Sequence, residues 1–236
     1  MSQMWGLHIL NRNKDIYNLD IKNIDWAATD ALCFDMDGTL WDAVDSYCEI
    51  WNRCFRKVGM DRVVARQELI ACMGLNLHEI LRRLCGGVPM PDADAFLSDI
   101  EREEIRLMPM LGGKPYPGVA EGLERLSKKY KILLLSNCGE NGLENLMNFL
   151  GVRALVTEAV TYGATHRDKN ENLTALAEKY SLRQLVYVGD TEGDCRQSHI
   201  AGMPFVFASY GFGHCDNADM TVGSFEELVE TFDKIK

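Results

Sequence analysis

The sequence predicts an α/β fold: a doubly wound, mostly parallel, Rossmann-like sheet carrying a small helical cap. Three observations predict it. Short apolar runs alternate with helical periodicity over most of the 236 residues. One long helical stretch interrupts that alternation. The apolar runs also end in small or acidic residues, as strands do where a parallel sheet opens toward a ligand.

In chain order, the strand candidates are Ala31–Phe34, Ile132–Leu135, Leu155–Val160, Leu185–Val188 and Phe205–Ala208. Their short apolar runs suit buried strands. Between them, Leu143, Leu146, Met147 and Leu150 fall at helical spacing, as do Leu173, Leu176, Ala177 and Tyr180. Near the end Phe225, Leu228, Val229 and Phe232 repeat the pattern behind a cap at Ser224. From about Asp45 to Leu111 the pattern is helical throughout. Tyr47, Trp51, Phe55 and Val58 are expected to line one face, Ile80, Leu81 and Leu84 another, with a further helix from Asp94 to Met108. The chain returns through Pro109, Gly112, Gly113, Pro115, Pro117 and Gly118, a breaker-rich stretch suited to a hinge. The expected division is a core of residues 1–44 and 112–236, with 1–30 as an N-terminal extension, and a helical cap of 45–111. Trp5, Leu7 and Leu10 imply that the extension packs on something.

Composition narrows the function classes. Hydrophobic residues make up 47% and charged residues 25%, the balance of a soluble globular protein. A net charge of −10 without a basic patch argues against nucleic acid as a partner, though not against a small anion. The eight cysteines form no Cys-x-x-Cys pair and suit a reducing, cytoplasmic setting. Arg12, Lys14, Asp15, Asp20 and Lys22 break up any secretory signal, and apolar stretches such as Ile132–Leu135 are too short to span a bilayer. A monomer or a homodimer is expected.

The chemistry-bearing residues sit at strand ends. Ala31-Leu32-Cys33-Phe34 runs into Asp35-Met36-Asp37-Gly38-Thr39-Leu40, bringing two carboxylates to the mouth of a sheet. An acidic pair beside a core is costly unless it binds something positive or exchanges protons. The next core strand ends in Ser136-Asn137, a donor cluster for an anion. Val186-Tyr187-Val188 leads to Gly189-Asp190-Thr191-Glu192-Gly193-Asp194, whose aspartates would face Asp35 and Asp37 in a parallel sheet. Lys169, just before the Leu173–Tyr180 helix, is the cation available to these carboxylates. Asp42 reads as a cap for the helix that follows it. Cys138 reads as a buried thiol, and His78, His166, His199 and His214 as structural or surface residues. Trp41, Tyr47 and Trp51 read chiefly as core and hinge packing, with Trp41 and Tyr47 close to the cap–core crevice.

In this order, Asp35/Asp37, Ser136, Lys169 and Asp190/Asp194 resemble the four motifs of the haloacid dehalogenase superfamily, across Ala31 to Phe232. Ala201-Gly202-Met203-Pro204 and Tyr210-Gly211-Phe212-Gly213 are similar to its phosphoglycolate phosphatase-like branch, which carries a helical cap after the first motif. Asp168-Lys169-Asn170 lacks the proline that often follows the motif lysine, leaving Arg167 as a second candidate. The resemblance implies a Mg²⁺-dependent phosphatase. Asp35 would be the nucleophile and Asp37 the acid/base. Asp35, the Asp37 backbone carbonyl and Asp190 would hold the metal, with Asp194 orienting Lys169 or a metal-bound water. Ser136, Asn137, Lys169 and Thr39 would bind the phosphoryl group. Asp37 argues against the dehalogenase and phosphonate-cleaving branches. Tyr47, where the sugar-phosphate mutases carry a histidine, argues against that branch. A silent phosphometabolite-binding protein is the different-class alternative. The substrate implied is a small phosphorylated metabolite such as phosphoglycolate. The Met73-Gly74-Leu75-Asn76 loop is expected to face the site, with Asn76 and Lys114 as candidate contacts.

Overall fold

A computed structural model of the chain describes residues 24–87 and 90–235. The expected packing of Trp5, Leu7 and Leu10 lies outside the described residues. Six parallel strands form the main sheet: β1 (Ala31–Phe34), β4 (Lys131–Ser136), β5 (Val156–Thr161), β6 (Leu185–Gly189), β7 (Phe205–Ala208) and β8 (Met220–Val222). Their spatial order is β5-β4-β1-β6-β7-β8. The chain winds from β1 out to β5, then crosses back to β6 on the other side. A ligand crevice belongs at that reversal, beyond the carboxyl ends of β1 and its neighbours.

Alternation along the strands gives each sheet face its own core. Leu32, Phe34, Ile132, Leu134, Val186 and Val188 belong to one apolar cluster, and Ala31, Cys33, Leu133, Leu135 and Tyr187 to the other. The first cluster includes Leu123 from α5 (Val119–Ser127), Leu146 from α6 (Gly142–Leu150) and Phe225, Leu228 and Phe232 from α10 (Phe225–Ile235). The second includes Leu173 and Leu176 from α8 (Lys169–Lys179) and Cys195 from α9 (Glu192–Ile200). Helices therefore cover both faces, which lets the central strands be apolar throughout while the edge strands β5 and β8 are more mixed. As expected, Ser224 caps α10, its hydroxyl accepting the Glu227 N–H at 3.1 Å.

Between β1 and β4 stands the helical insert: α1 (Val44–Lys57), α2 (Arg66–Ile70), α3 (Leu77–Leu84) and α4 (Ala93–Leu111). Trp51, Phe55 and Phe96 form its aromatic centre, with Phe55 and Phe96 centroids 4.9 Å apart. The two connections to the sheet pair with each other. β2 (Trp41–Asp42) runs antiparallel to β3 (Lys114–Pro115), so the insert stands on a two-stranded ribbon. The apolar interior of the insert is continuous with one face of the sheet. We propose the cap boundaries, 45–111, from this ribbon and the helices it carries.

Several details differ from the sequence expectation. Val58 follows the end of α1 and is exposed, because the 3.6-residue stripe continues past the helix itself. Pro109 lies inside α4, which ends at Gly112 with φ +59°, so the return begins three residues later than its first breaker. The strands β2, β3 and β8 were not anticipated; two or three residues carry no readable period. All eight cysteines are free thiols. Among the described residues, no helix is long and apolar enough to cross a membrane.

Phe34, fully buried in β1 with its ring 5.9 Å from that of Phe225, tests this core. Phe34→Ala is expected to cost about 3–5 kcal/mol in urea unfolding. A loss below about 1 kcal/mol would contradict the packing described.

Candidate active site

The parallel register brings the motif residues together. Phe34 pairs with both Leu134 and Val188, so the residues that follow all emerge at one sheet edge. Asp35 comes from the end of β1, Ser136 from the end of β4 and Asp190 from the residue after β6. Lys169 arrives from the first turn of α8 and Asp194 from the first turn of α9.

Each placement has a local cause. Thr191 opens α9 reciprocally: its hydroxyl accepts the Asp194 N–H at 3.1 Å, while Asp194 accepts the Thr191 N–H at 3.1 Å and hydroxyl at 2.6 Å. A carboxylate there also suits the helix dipole. Lys169 is different, because a cation in a first turn opposes that dipole. Its ammonium is held instead by Asp194 Oδ1 at 2.5 Å and Asp35 Oδ1 at 3.0 Å, with all three side chains buried. Burial works against its charge, but Asp194 and Asp35 outweigh it and hold the ammonium above its usual range. Arg167, the alternative cation, is exposed, and nothing places its side chain in the site. Lys169 is the cation that the fold brings against these two carboxylates.

Asp190 sits in a glycine cradle. A Cβ on Gly38, where φ is +81°, would lie 2.1 Å from Asp190 Oδ2; one on Gly211 would lie 2.4 Å from Asp190 Cβ. Glycine is required here by close approach, and at Gly38 by backbone conformation as well. The Phe212 N–H donates to Asp190 Oδ2 at 2.7 Å, which turns the other oxygen, Oδ1, into a buried position with no hydrogen-bond partner among the described residues. Burial, then Asp194 and Asp35, push its carboxyl up to about 8. Burial also raises Asp35, with Lys169 opposing and Asp194 reinforcing the rise. Asp37 is held well above its usual range by burial and by Asp35, partly offset by the Tyr47 hydroxyl, which donates to Asp37 Oδ2 at 3.3 Å.

Lys169 is thus one cation beside Asp35, Asp190 and Asp194, whose ligand oxygens lie within 4.8 Å of one another. A divalent cation fits this set. The donors are all oxygens, the charge is in excess, and Asp190 Oδ1 is already oriented without a partner. Asp194 is the least free, because Lys169 and Thr191 already occupy its oxygens.

A family model described as haloacid dehalogenase-like hydrolase matches residues 32–208. The chain belongs to that family. Among relatives of this haloacid dehalogenase-like hydrolase, the phosphoglycolate phosphatase of Aliivibrio fischeri is 26% identical over 202 residues, covering 78% of this chain and 85% of the relative. That of Synechococcus elongatus is 27% identical over 204 residues, covering 85% and 92%. A predicted phosphoglycolate phosphatase from Haemophilus somnus shares the fold with a TM-score of 0.76 at 18% identity, covering 86% of this chain and 98% of that one.

Above the carboxylates lies a cavity of ≈ 60 Å³ between insert and sheet, reached by Asp35, Asp37, Ser136 and Asn137. The loop Met73-Gly74-Leu75 faces it as expected, and the Asn137 side-chain amide donates to Gly74 O at 2.7 Å, tying sheet to insert. Three expected contacts do not line the cavity: Asn76, Lys114 and Thr39. Asn76 points away, accepting the Glu79 N–H at 3.1 Å to cap α3. Lys114 is exposed and pairs with Asp45 at 3.4 Å. Asp42 accepts the Val44 N–H at 3.1 Å from one residue before the α1 cap, and it also pairs with Arg66. Thr39 is fully buried and does not line the cavity. Trp41 is core packing, whereas Tyr47 and Trp51 line the cavity as well. Cys138 also lines it, with burial pushing its thiol up to about 12, so it stays protonated.

Glu104 of α4 was missed. It lines the cavity half-buried, and burial followed by Glu101 pushes its carboxyl up to about 8. In sequence it is one charge among Glu101, Arg102 and Glu103, and only the packing of α4 singles it out.

Lys169→Met would leave Asp35 and Asp194 facing each other without their cation. In metal-free protein it is expected to cost about 3–5 kcal/mol in urea unfolding. A change under about 1 kcal/mol would show that the buried triad contributes little.

Proposed function

We propose that this phosphatase of the haloacid dehalogenase type uses Mg²⁺ and hydrolyses phosphomonoesters of a small metabolite through an aspartyl-phosphate on Asp35. The observation that carries the reading is Asp35 itself: one oxygen is held by Lys169 at 3.0 Å, and the side chain reaches the cavity beside Asp37. A carboxylate fixed in this way is oriented for attack before substrate arrives.

In the first step an Asp35 oxygen forms a bond to phosphorus as the bond to the leaving alcohol breaks. Asp37 gives its proton to the departing oxygen. Burial and the neighbouring Asp35 raise the Asp37 carboxyl, so it is suited to hold that proton beforehand, and Tyr47 fixes its orientation. In the second step water attacks phosphorus, Asp37 takes the water's proton, and the bond to Asp35 breaks to release phosphate. Lys169 and Ser136 would hold phosphoryl oxygens as charge shifts. Because the Asn137 side chain is engaged with Gly74, its part in this would fall to the backbone N–H. Mg²⁺ held by Asp35, the Asp37 carbonyl and Asp190 would supply the counter-charge that lets a carboxylate approach a phosphate anion.

The relatives' activity makes phosphoglycolate the reference substrate. Tyr47, pointing at Asp37 where a mutase would carry a histidine, supports hydrolysis over phosphoryl transfer between sugars. The different-class alternative, a silent phosphometabolite-binding protein, is separated by assay.

With p-nitrophenyl phosphate the protein is expected to release phosphate only with Mg²⁺, to lose activity on chelation and to regain it when Mg²⁺ is restored. No release above an Asp35→Asn control across a broad phosphate panel would sink the phosphatase reading. Asp37→Asn is expected to lower kcat by about 10²–10⁴-fold while the circular dichroism spectrum stays native. A kcat within a fewfold of the parent would remove Asp37 from the acid/base role.

A further inference from the structure

The walls of the cavity above Asp35 and Asp37 carry information about what leaves the phosphoryl group. Its apolar lining comes from Trp51, Leu69, Met73, Leu75, Leu77, Ile80 and Met108, contributed by all four helices of the insert and the loop between α2 and α3. The polar groups that the insert and α6 add are few: the Tyr47 hydroxyl, the Glu104 carboxyl and the Asn145 side chain. Among the described residues, no lysine, arginine or histidine lines this cavity.

The insert's cations lie outside this cavity. Arg66 pairs with Asp42 and Asp45, Arg62 with Glu68, and Lys57 with Asp99, all toward solvent. Lys169 is already shared between Asp35 and Asp194. The neighbouring groove, which shares Leu77 and Asn137 with the cavity, does carry His78 and His166, but Asp94 and Glu101 line the same groove. It offers no excess positive charge.

We propose that the preferred substrates are phosphomonoesters of a compact, neutral, largely apolar alcohol, and that a second anionic group, such as the carboxylate of phosphoglycolate, is disfavoured. This rests on the phosphatase reading and narrows it. An anion buried without a cation or a full set of donors is strongly penalised. A carboxylate on the leaving group would meet Glu104 and the apolar wall. Even with its own proton in place, Glu104 offers one O–H donor and no counter-charge. An alkyl or aryl body instead replaces water against seven apolar side chains. A single hydroxyl on that body could be met by Asn145 or Glu104.

The test is a comparison of kcat/KM, with Mg²⁺ and the full chain, for propyl, isobutyl and phenyl phosphate against phosphoglycolate. The neutral esters are expected to exceed phosphoglycolate by about tenfold or more. Equal or greater kcat/KM for phosphoglycolate overturns the inference and leaves the phosphatase reading standing. Hydrolysis of none of the four, with none of a wider panel, overturns both. Glu104→Lys places a cation in the cavity wall, and the phosphoglycolate-to-propyl phosphate ratio of kcat/KM should rise about tenfold. An unchanged or lower ratio in folded Glu104→Lys protein counts against the inference.

Discussion

The site depends on one buried cation. Lys169 lies between Asp35 and Asp194, and the ion pairs join three segments distant in sequence: the end of β1, the start of α8 and the start of α9. Neither helix start would select this arrangement alone. A lysine in a first turn opposes the helix dipole, and a carboxylate crowded by others resists ionising. Together they offset one another's desolvation, so the triad ties this edge of the sheet to the two helices on its second face. The same ammonium fixes one oxygen of Asp35, leaving the carboxylate directed at the cavity.

Around that triad the remaining charge is left incomplete. Asp190 is wedged by Gly38 and Gly211 and turned by the Phe212 N–H, so one oxygen is buried without a partner. Such a group is a liability in a core and an asset at a cation site. The insert then closes over the carboxylates with an almost wholly apolar wall, interrupted by Tyr47 and Glu104. In the proposed reaction the sheet edge carries the chemistry and the insert selects the alcohol that leaves.

Much of this was legible in the chain. Asp35, Asp37, Ser136, Lys169, Asp190 and Asp194 each stand at a strand end or helix start, because parallel sheets deliver residues there. β1, β4, β6 and β7 have apolar runs suited to burial, the edge strand β5 is more mixed, and β2, β3 and β8 are too short to show any period. Thr39 illustrates the opposite limit: it stands in the first motif, yet the turn at Gly38 leaves it buried away from the cavity. Asn76 and Lys114 failed as contacts because a cap and an ion pair claimed their side chains first.

Local sequence determined which residues stand at the strand ends and helix starts that form the candidate site, since an Asp-x-Asp turn and a Thr-x-x-Asp helix start are set by neighbours a few positions apart. It also set the family, the helical character of the insert and its point of entry after β1. Tertiary structure alone placed Lys169, and not Arg167, between two buried carboxylates, because packing rather than sequence spacing sets which cation reaches them. It alone turned Glu104 from one charge in an acidic run into a half-buried wall of the cavity. Burial and net charge at a point in space depend on segments far apart along the chain, and no local pattern encodes them.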